Sequence, residues 1–171
     1  FYLATDGAMR FDSADIGGLS SSSLNALILH EMGHVMGFGT LWVSNGVYTN
    51  GTGEYTGTNA TAAWQSEFGQ SGTPDVELGG GAGTANGHWN EVDGGSALTG
   101  IVDSMGRDMR DELMTGWLNP NAFISDMTIQ SFVDIGFVAA AIPEPSGMLL
   151  ISFVVVVGNL LNRTRKFGFV A

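Results

Sequence analysis

The chain has 171 residues and no cysteine, so its stability must come from packing and bound metal rather than from disulfide bonds. All 17 acidic residues lie within 1–145, where three arginines are the only bases, which gives this body a net charge of −14. Such a charge argues against nucleic acid and against anionic membrane surfaces as partners of the body.

The 26 glycines predict long loops rather than a helical bundle. The surplus of acid is ordinarily a solvated surface, and calcium is a secondary expectation, because no twelve-residue calcium loop is present. The first predicted element is a short strand or sheet edge within Phe1–Asp12, which would lead towards the helix that follows.

That helix is strongly marked in the sequence. Ser20 to Ser23 supply hydroxyls for an N-cap, and the apolar run Leu24–Leu29 continues directly into His30. Gly37 is placed to end the helix, because glycine adopts the left-handed C′ conformation at little cost.

The end of this helix carries H-E-x-x-H, as His30, Glu31 and His34. Residues four apart lie on one face of a helix, so both imidazoles can reach a single zinc ion. Glu31 lies beside them on the same turn, where it can act as general base towards a water without being a ligand. This pattern predicts metal-assisted hydrolysis.

A catalytic zinc site needs a third protein ligand and one position open to water. The remaining histidine of the chain is His88, which follows the glycine-rich stretch 79–87. A flexible loop of that kind could return His88 to the helix, and we favour this residue as the third ligand. The alternatives are carboxylates, namely Glu54, Glu67 or Glu91.

The order His30 to Gly37, a long insert, His88-Trp89 and then 111–115 resembles the leishmanolysin family of metzincin zinc proteases. The resemblance implies an α+β metzincin-like catalytic domain over 1–138, with His88 as third ligand. Met114 matches the methionine turn beneath the zinc, as a structural floor rather than a ligand, and 125–137 matches the closing helix. Strands that precede the active-site helix in metzincins are largely missing, so we expect an N-terminally incomplete domain.

A separate signal lies at the C-terminus. A linker over 139–146 contains Pro143-Glu144-Pro145, and 147–171 holds an apolar run followed by Arg163, Arg165 and Lys166. The basic residues predict a cytoplasmic end and an external body. This order resembles the PEP-CTERM sorting tails of Gram-negative bacteria. The resemblance implies a membrane helix, an exosortase-type processing enzyme as partner, and export to the cell envelope or the medium.

The sequence therefore predicts a zinc endopeptidase at the bacterial surface, in which Glu31 activates water to cleave protein or peptide substrates. An alternative from another class is a surface adhesion or matrix module whose zinc site is vestigial or structural. An intact Glu31 argues against that alternative, because a structural zinc site has no use for a carboxylate between its histidines.

Overall fold

A computed structural model describes residues 1–139. Four α-helices lie within this range: α1, Ser13–Ile16; α2, Ser21–Met36; α3, Thr58–Phe68; and α4, Asp126–Asp134. Single 3₁₀ turns occur at Asp93–Gly95 and Met109–Asp111. Long loops join these elements, as the glycine content predicts.

Helix α2 begins and ends where its sequence indicates. The Ser20 hydroxyl accepts a hydrogen bond from the backbone N–H of Ser23 at 3.1 Å, which satisfies one of the free donors of the first turn. At the other end Gly37 has φ +123° and donates its N–H to the carbonyls of Gly33 and His34. The predicted helix is confirmed, with His30, Glu31 and His34 in its last two turns.

Extended structure within 1–139 consists of isolated β-bridges rather than strands of several residues. Val76 pairs with Trp89 in the antiparallel sense, and Trp89 pairs with Thr115 in the parallel sense. Trp89, the residue after His88, therefore pairs on one side with Val76 and on the other with Thr115. Residues Phe1–Asp12 form no bridge, so the predicted strand there is wrong, because the described chain places no partner edge beside it.

The core is aromatic and includes the turn that follows α2. Phe38 and Trp42 are fully buried, with ring centroids 4.5 Å apart, and the Trp89 ring lies 5.2 Å from Phe38 and 5.1 Å from Trp42. Tyr55 closes the cluster at 5.3 Å from Trp89. Since Trp89 is adjacent to His88, this cluster anchors the loop segment against α2.

Helices α3 and α4 pack against each other through a buried carboxylate. Gly57 precedes α3 and has no side chain to cap it, so Asp134 of α4 supplies the acceptor. Its two oxygens accept the backbone N–H groups of Asn59 and Ala60, each at 2.9 Å. A carboxylate at a helix N-terminus is stabilised by the free N–H groups and by the helix dipole.

The predicted tail, from the Pro143-Glu144-Pro145 linker to Arg163, Arg165 and Lys166, lies outside the described residues. Within 1–139, none of the helices has the length and apolar character needed to cross a bilayer.

Candidate metal centre

The structure brings the three histidines of the chain together at one point. The Nε2 atoms of His30 and His34 are 3.0 Å apart, those of His30 and His88 are 3.1 Å apart, and those of His34 and His88 are 2.9 Å apart. His88 is separated from the helix pair by more than fifty residues, yet it closes an almost equilateral triangle with them. The predicted carboxylate alternatives do not lie at this point.

The other nitrogen of each imidazole is held by a backbone carbonyl. The Nδ1–H group of His30 donates to Leu113 O at 2.7 Å, that of His34 to Phe38 O at 3.0 Å, and that of His88 to Thr84 O at 2.8 Å. A carbonyl only accepts, so each Nδ1 carries the proton and each Nε2 presents its lone pair to the shared point. All three tautomers are thereby fixed for metal binding.

Burial also disfavours the charged form of two of the rings. Desolvation lowers the pKa of His30, and it lowers the pKa of His88 to about 4, in both cases against a hydrogen bond to a backbone carbonyl that acts in the opposite direction. These two imidazoles are therefore neutral near pH 7, which is the form that binds metal.

Three imidazoles whose Nε2 atoms meet at one point form a group that could hold a cation. A tetrahedral zinc site with bonds of 2.0–2.1 Å places its nitrogens roughly 3.3–3.4 Å apart, close to the spacing found here. Neutral imidazole is a preferred zinc ligand, and three protein ligands leave the fourth position open. The three histidines fit a zinc ion.

The carboxylates considered as a third ligand lie elsewhere. Glu54 is exposed beside Asp75, Glu67 accepts the backbone N–H of Met127 at 3.1 Å, and Glu91 accepts that of Gly116. Among residues 1–139, the three histidines are the sole group of three or more acidic or histidine side chains close enough to share an ion. The secondary expectation of calcium has no such group to support it in that range.

The loop that carries His88 is held firmly on both sides. Asn86 has φ +65°, donates its N–H to Glu77 O at 2.7 Å, and accepts the Tyr48 hydroxyl at 2.6 Å and the Gly51 N–H at 2.8 Å. These bonds tie the glycine-rich stretch to the segment after α2. These hydrogen bonds, rather than flexibility of the loop, hold His88 close to α2.

Backbone packs directly against backbone where this loop meets the end of α2. A Cβ atom on Gly39, whose φ is +69°, would lie 2.7 Å from the Cα atom of Gly87 and closer still to its carbonyl oxygen. Gly87 immediately precedes His88. A side chain at Gly39 would therefore force the third histidine away from the other two.

Met114 is 1% exposed and packs against α2 at Gly33. Its Sδ and Cε atoms would each be 2.9 Å from a Cβ on Gly33, so a larger residue there would displace the end of the Met114 side chain. The backbone around Met114 reaches both halves of the site, because Leu113 O accepts from His30 and Met114 O accepts the Trp89 N–H at 3.0 Å. Gly37 abuts Ile135 and Leu41, which fixes the turn after α2.

Two open clefts border the histidines. One is about 280 Å³ and is lined by Leu27, Thr84, Gly116, Trp117 and Leu118, and the other is about 350 Å³ and is lined by 39–40, 82–83 and 85–87. Both include Glu31, His34, Gly83 and His88. The Glu31 carboxylate is half-buried, and within 1–139 no group donates a hydrogen bond to it, so it faces the cleft unengaged.

Sequence reasoning identified the histidines, Glu31, Gly37 and Met114, but not the groups that orient them. The carbonyls of Leu113, Phe38 and Thr84 carry no residue-type signal, and Gly39 and Asn86 gain their roles only from contacts distant in sequence. Comparison of the chain with protein-family models, curated proteins and solved structures finds no match.

Proposed function

We propose that the chain is a zinc-dependent endopeptidase. The observation that carries this proposal is the convergence of three imidazoles in one tautomer, with Glu31 free beside them at the junction of two open clefts. A purely structural zinc site is usually closed by a fourth protein ligand. Here three side chains converge, and the open cleft favours a catalytic ion.

The residues divide into two roles. His30, His34 and His88 would hold the ion. The ion would act as a Lewis acid and would lower the pKa of a bound water towards neutrality. Glu31 accepts a proton from the attacking water and returns it to the leaving amine. Met114 supports the site from below through packing alone, since a thioether is a poor zinc ligand beside imidazoles.

An extended polypeptide is the substrate class that suits this arrangement. The two clefts share Glu31, His34 and His88, so a chain crossing the ion would run from one into the other. The loop 82–87 lines one cleft with small side chains, which leaves backbone groups accessible to a peptide. Export and display through the C-terminal tail remain part of the proposal, with an exosortase-type enzyme as the processing partner.

The test is Glu31→Gln in the full-length protein. We expect zinc to stay bound, because the ligands are untouched, and casein hydrolysis to fall by about 10²- to 10⁴-fold, the range contributed by general base catalysis. Glu54→Gln is the matched control, because Glu54 is exposed and lies away from the histidines. It should retain zinc and full activity.

Two results would contradict the proposal in different ways. Zinc bound at one ion per chain with no hydrolysis by the parent would favour the adhesion or matrix module with a structural site. Casein cleavage by Glu31→Gln at the parental rate would remove Glu31 from the mechanism and leave only the metal site.

A further inference from the structure

A second carboxylate lies buried behind the metal centre. Glu112 is 1% exposed, and both of its oxygens are engaged. One accepts the backbone N–H of Met114 at 2.6 Å; the other accepts the Ser125 N–H at 3.0 Å, the Ser125 hydroxyl at 2.8 Å and the Thr128 hydroxyl at 2.6 Å. Within 1–139 it forms no ion pair with an arginine.

Each of these four partners must donate. Two are backbone N–H groups, and the Ser125 hydroxyl already accepts the N–H of Thr128, while the Thr128 hydroxyl accepts the indole N–H of Trp89 at 2.8 Å. Each hydroxyl has a single proton, and within 1–139 the acceptor it meets is the Glu112 carboxyl oxygen. The site is built around an acceptor-only group on both oxygens.

The bond to Met114 leads directly to the metal centre. The N–H of Met114 and the carbonyl of Leu113 belong to the same peptide group. Glu112 accepts from the nitrogen side of that peptide, and the carbonyl side accepts the Nδ1–H of His30 at 2.7 Å. A hydrogen-bonded chain thus runs from the carboxylate through one peptide to the imidazole and its Nε2.

We propose that Glu112 is a positioning residue for the metal ligand His30, acting through the Leu113–Met114 peptide. The carboxylate fixes the plane of that peptide and polarises it, which strengthens its carbonyl as an acceptor for His30 Nδ1–H. Metal-binding histidines commonly donate this proton to a carboxylate or a carbonyl, and the partner raises their basicity as ligands. Here the Leu113 carbonyl is the direct partner of His30, and the Glu112 carboxylate acts on that carbonyl through the shared peptide group. This inference rests on the proposed zinc site.

Glu112 also stabilises the fold, because it links the methionine turn to the first turn of α4. A test must separate that structural role from the effect on His30. The chain offers a matched carboxylate in Asp134, which is also buried, also accepts from backbone N–H groups and a hydroxyl, and does not contact the histidines or their carbonyl partners.

The experiment compares Glu112→Gln with Asp134→Asn in the full-length protein, with zinc affinity measured by chelator competition on the folded fraction. Both variants should lose thermal stability. Glu112→Gln should bind zinc about 10- to 100-fold more weakly, the usual effect of losing a partner behind a ligand, whereas Asp134→Asn should bind as the parent does. Equal zinc affinity in Glu112→Gln and the parent overturns the proposal.

A measurement on the parent covers the case in which Glu112→Gln does not fold. Zinc addition should shift the backbone N–H resonance of Met114 in ¹⁵N NMR, because the ion strengthens the His30 Nδ1–H donor and polarises the shared peptide. The N–H of Ala60, which donates to Asp134, should not move. An unmoved Met114 resonance in zinc-loaded protein contradicts the relay, whereas a parent that binds no zinc contradicts the proposed function itself.

Discussion

The metal centre has two halves that are built in different ways. His30 and His34 are presented by one helix, four residues apart, with a serine cap at its start and a glycine at its end. His88 is presented by a loop without regular structure, and its position depends on Thr84, Asn86 and the close approach of Gly39. The helix half is local in sequence, and the loop half is assembled from distant segments.

This difference determines where each half is vulnerable. The helix pair depends on a repeating backbone geometry that many sequences can adopt, so most changes on α2 leave the spacing of His30 and His34 intact. The loop half depends on single contacts, several of them to the backbone, for which no other residue substitutes. We therefore expect substitutions that disturb the loop to remove the third ligand while the first two stay in place.

The largest effect is expected from removing the third ligand. His88→Ala should weaken zinc binding by well over about 100-fold, since losing a ligand must exceed the 10- to 100-fold loss seen when only its supporting partner is removed. Zinc affinity and zinc content of the purified protein measure this directly. Peptidase activity should be lost with the metal.

Asn90→Ala is the control for this variant. Asn90 lies two residues further along the same segment, is exposed, and has no side-chain hydrogen bond within the described range. It should bind zinc as the parent does. A His88→Ala protein with parental zinc affinity would show that the helix pair finds its third ligand elsewhere and would revive the carboxylate alternative.

A smaller effect is expected where the loop meets the helix, at Gly39→Ala. An alanine there must adopt a left-handed conformation, which costs about 1–2 kcal/mol, and its Cβ would collide with Gly87. Gly46→Ala is closely matched, because Gly46 has φ +71° against +69° for Gly39 but no atom within contact distance of an added Cβ.

Both variants should lose thermal stability through backbone strain, and only Gly39→Ala should also lose zinc affinity, by about 10-fold or more, because His88 is displaced. Calorimetry and chelator competition give the two quantities separately. Equal zinc affinity in the two variants would mean that the Gly39–Gly87 contact does not position His88.

The same division explains how far the sequence could predict the structure. Helix α2, its caps and its ligand pair follow from spacing and residue type, and the resemblance to a known methionine turn directed attention to Met114. The position of the His88 ring could not be predicted from the sequence. It depends on the Thr84 carbonyl and on the backbone of Gly87, and backbone groups give no signal in the residue type. The sequence shows a glutamate at Glu112 but not that it is buried, because its burial depends on the packing of the start of α4 against it.

The smallest expected effect concerns acid, which should loosen the loop 99–110, a further segment without α-helix, before it affects helix α2. Burial acts to raise the pKa of Asp108, but hydrogen bonds from the N–H groups of Arg110, Thr99 and Gly100 and from the Thr99 hydroxyl hold it below its usual value. A lowered carboxyl pKa gives stability that is complete above the unfolded pKa near 4 and is lost as the pH falls through the folded value.

Amide hydrogen exchange resolves this effect locally, which matters because burial raises the pKa of Glu112 and of Glu91, and such groups act with the opposite sign on global stability. After correction for intrinsic rates, protection at Gly100 and Arg110 should fall as the pH drops below about 5 towards the lowered pKa of Asp108. Amides in the first turn of α2 should keep their protection, because the Ser20 hydroxyl that caps it does not titrate in this range. In Asp108→Asn the pH dependence at Gly100 should disappear. If the α2 amides lose protection at the same pH as Gly100, helix α2 and the loop 99–110 unfold as one unit, and the distinction between helix and loop has no energetic meaning here.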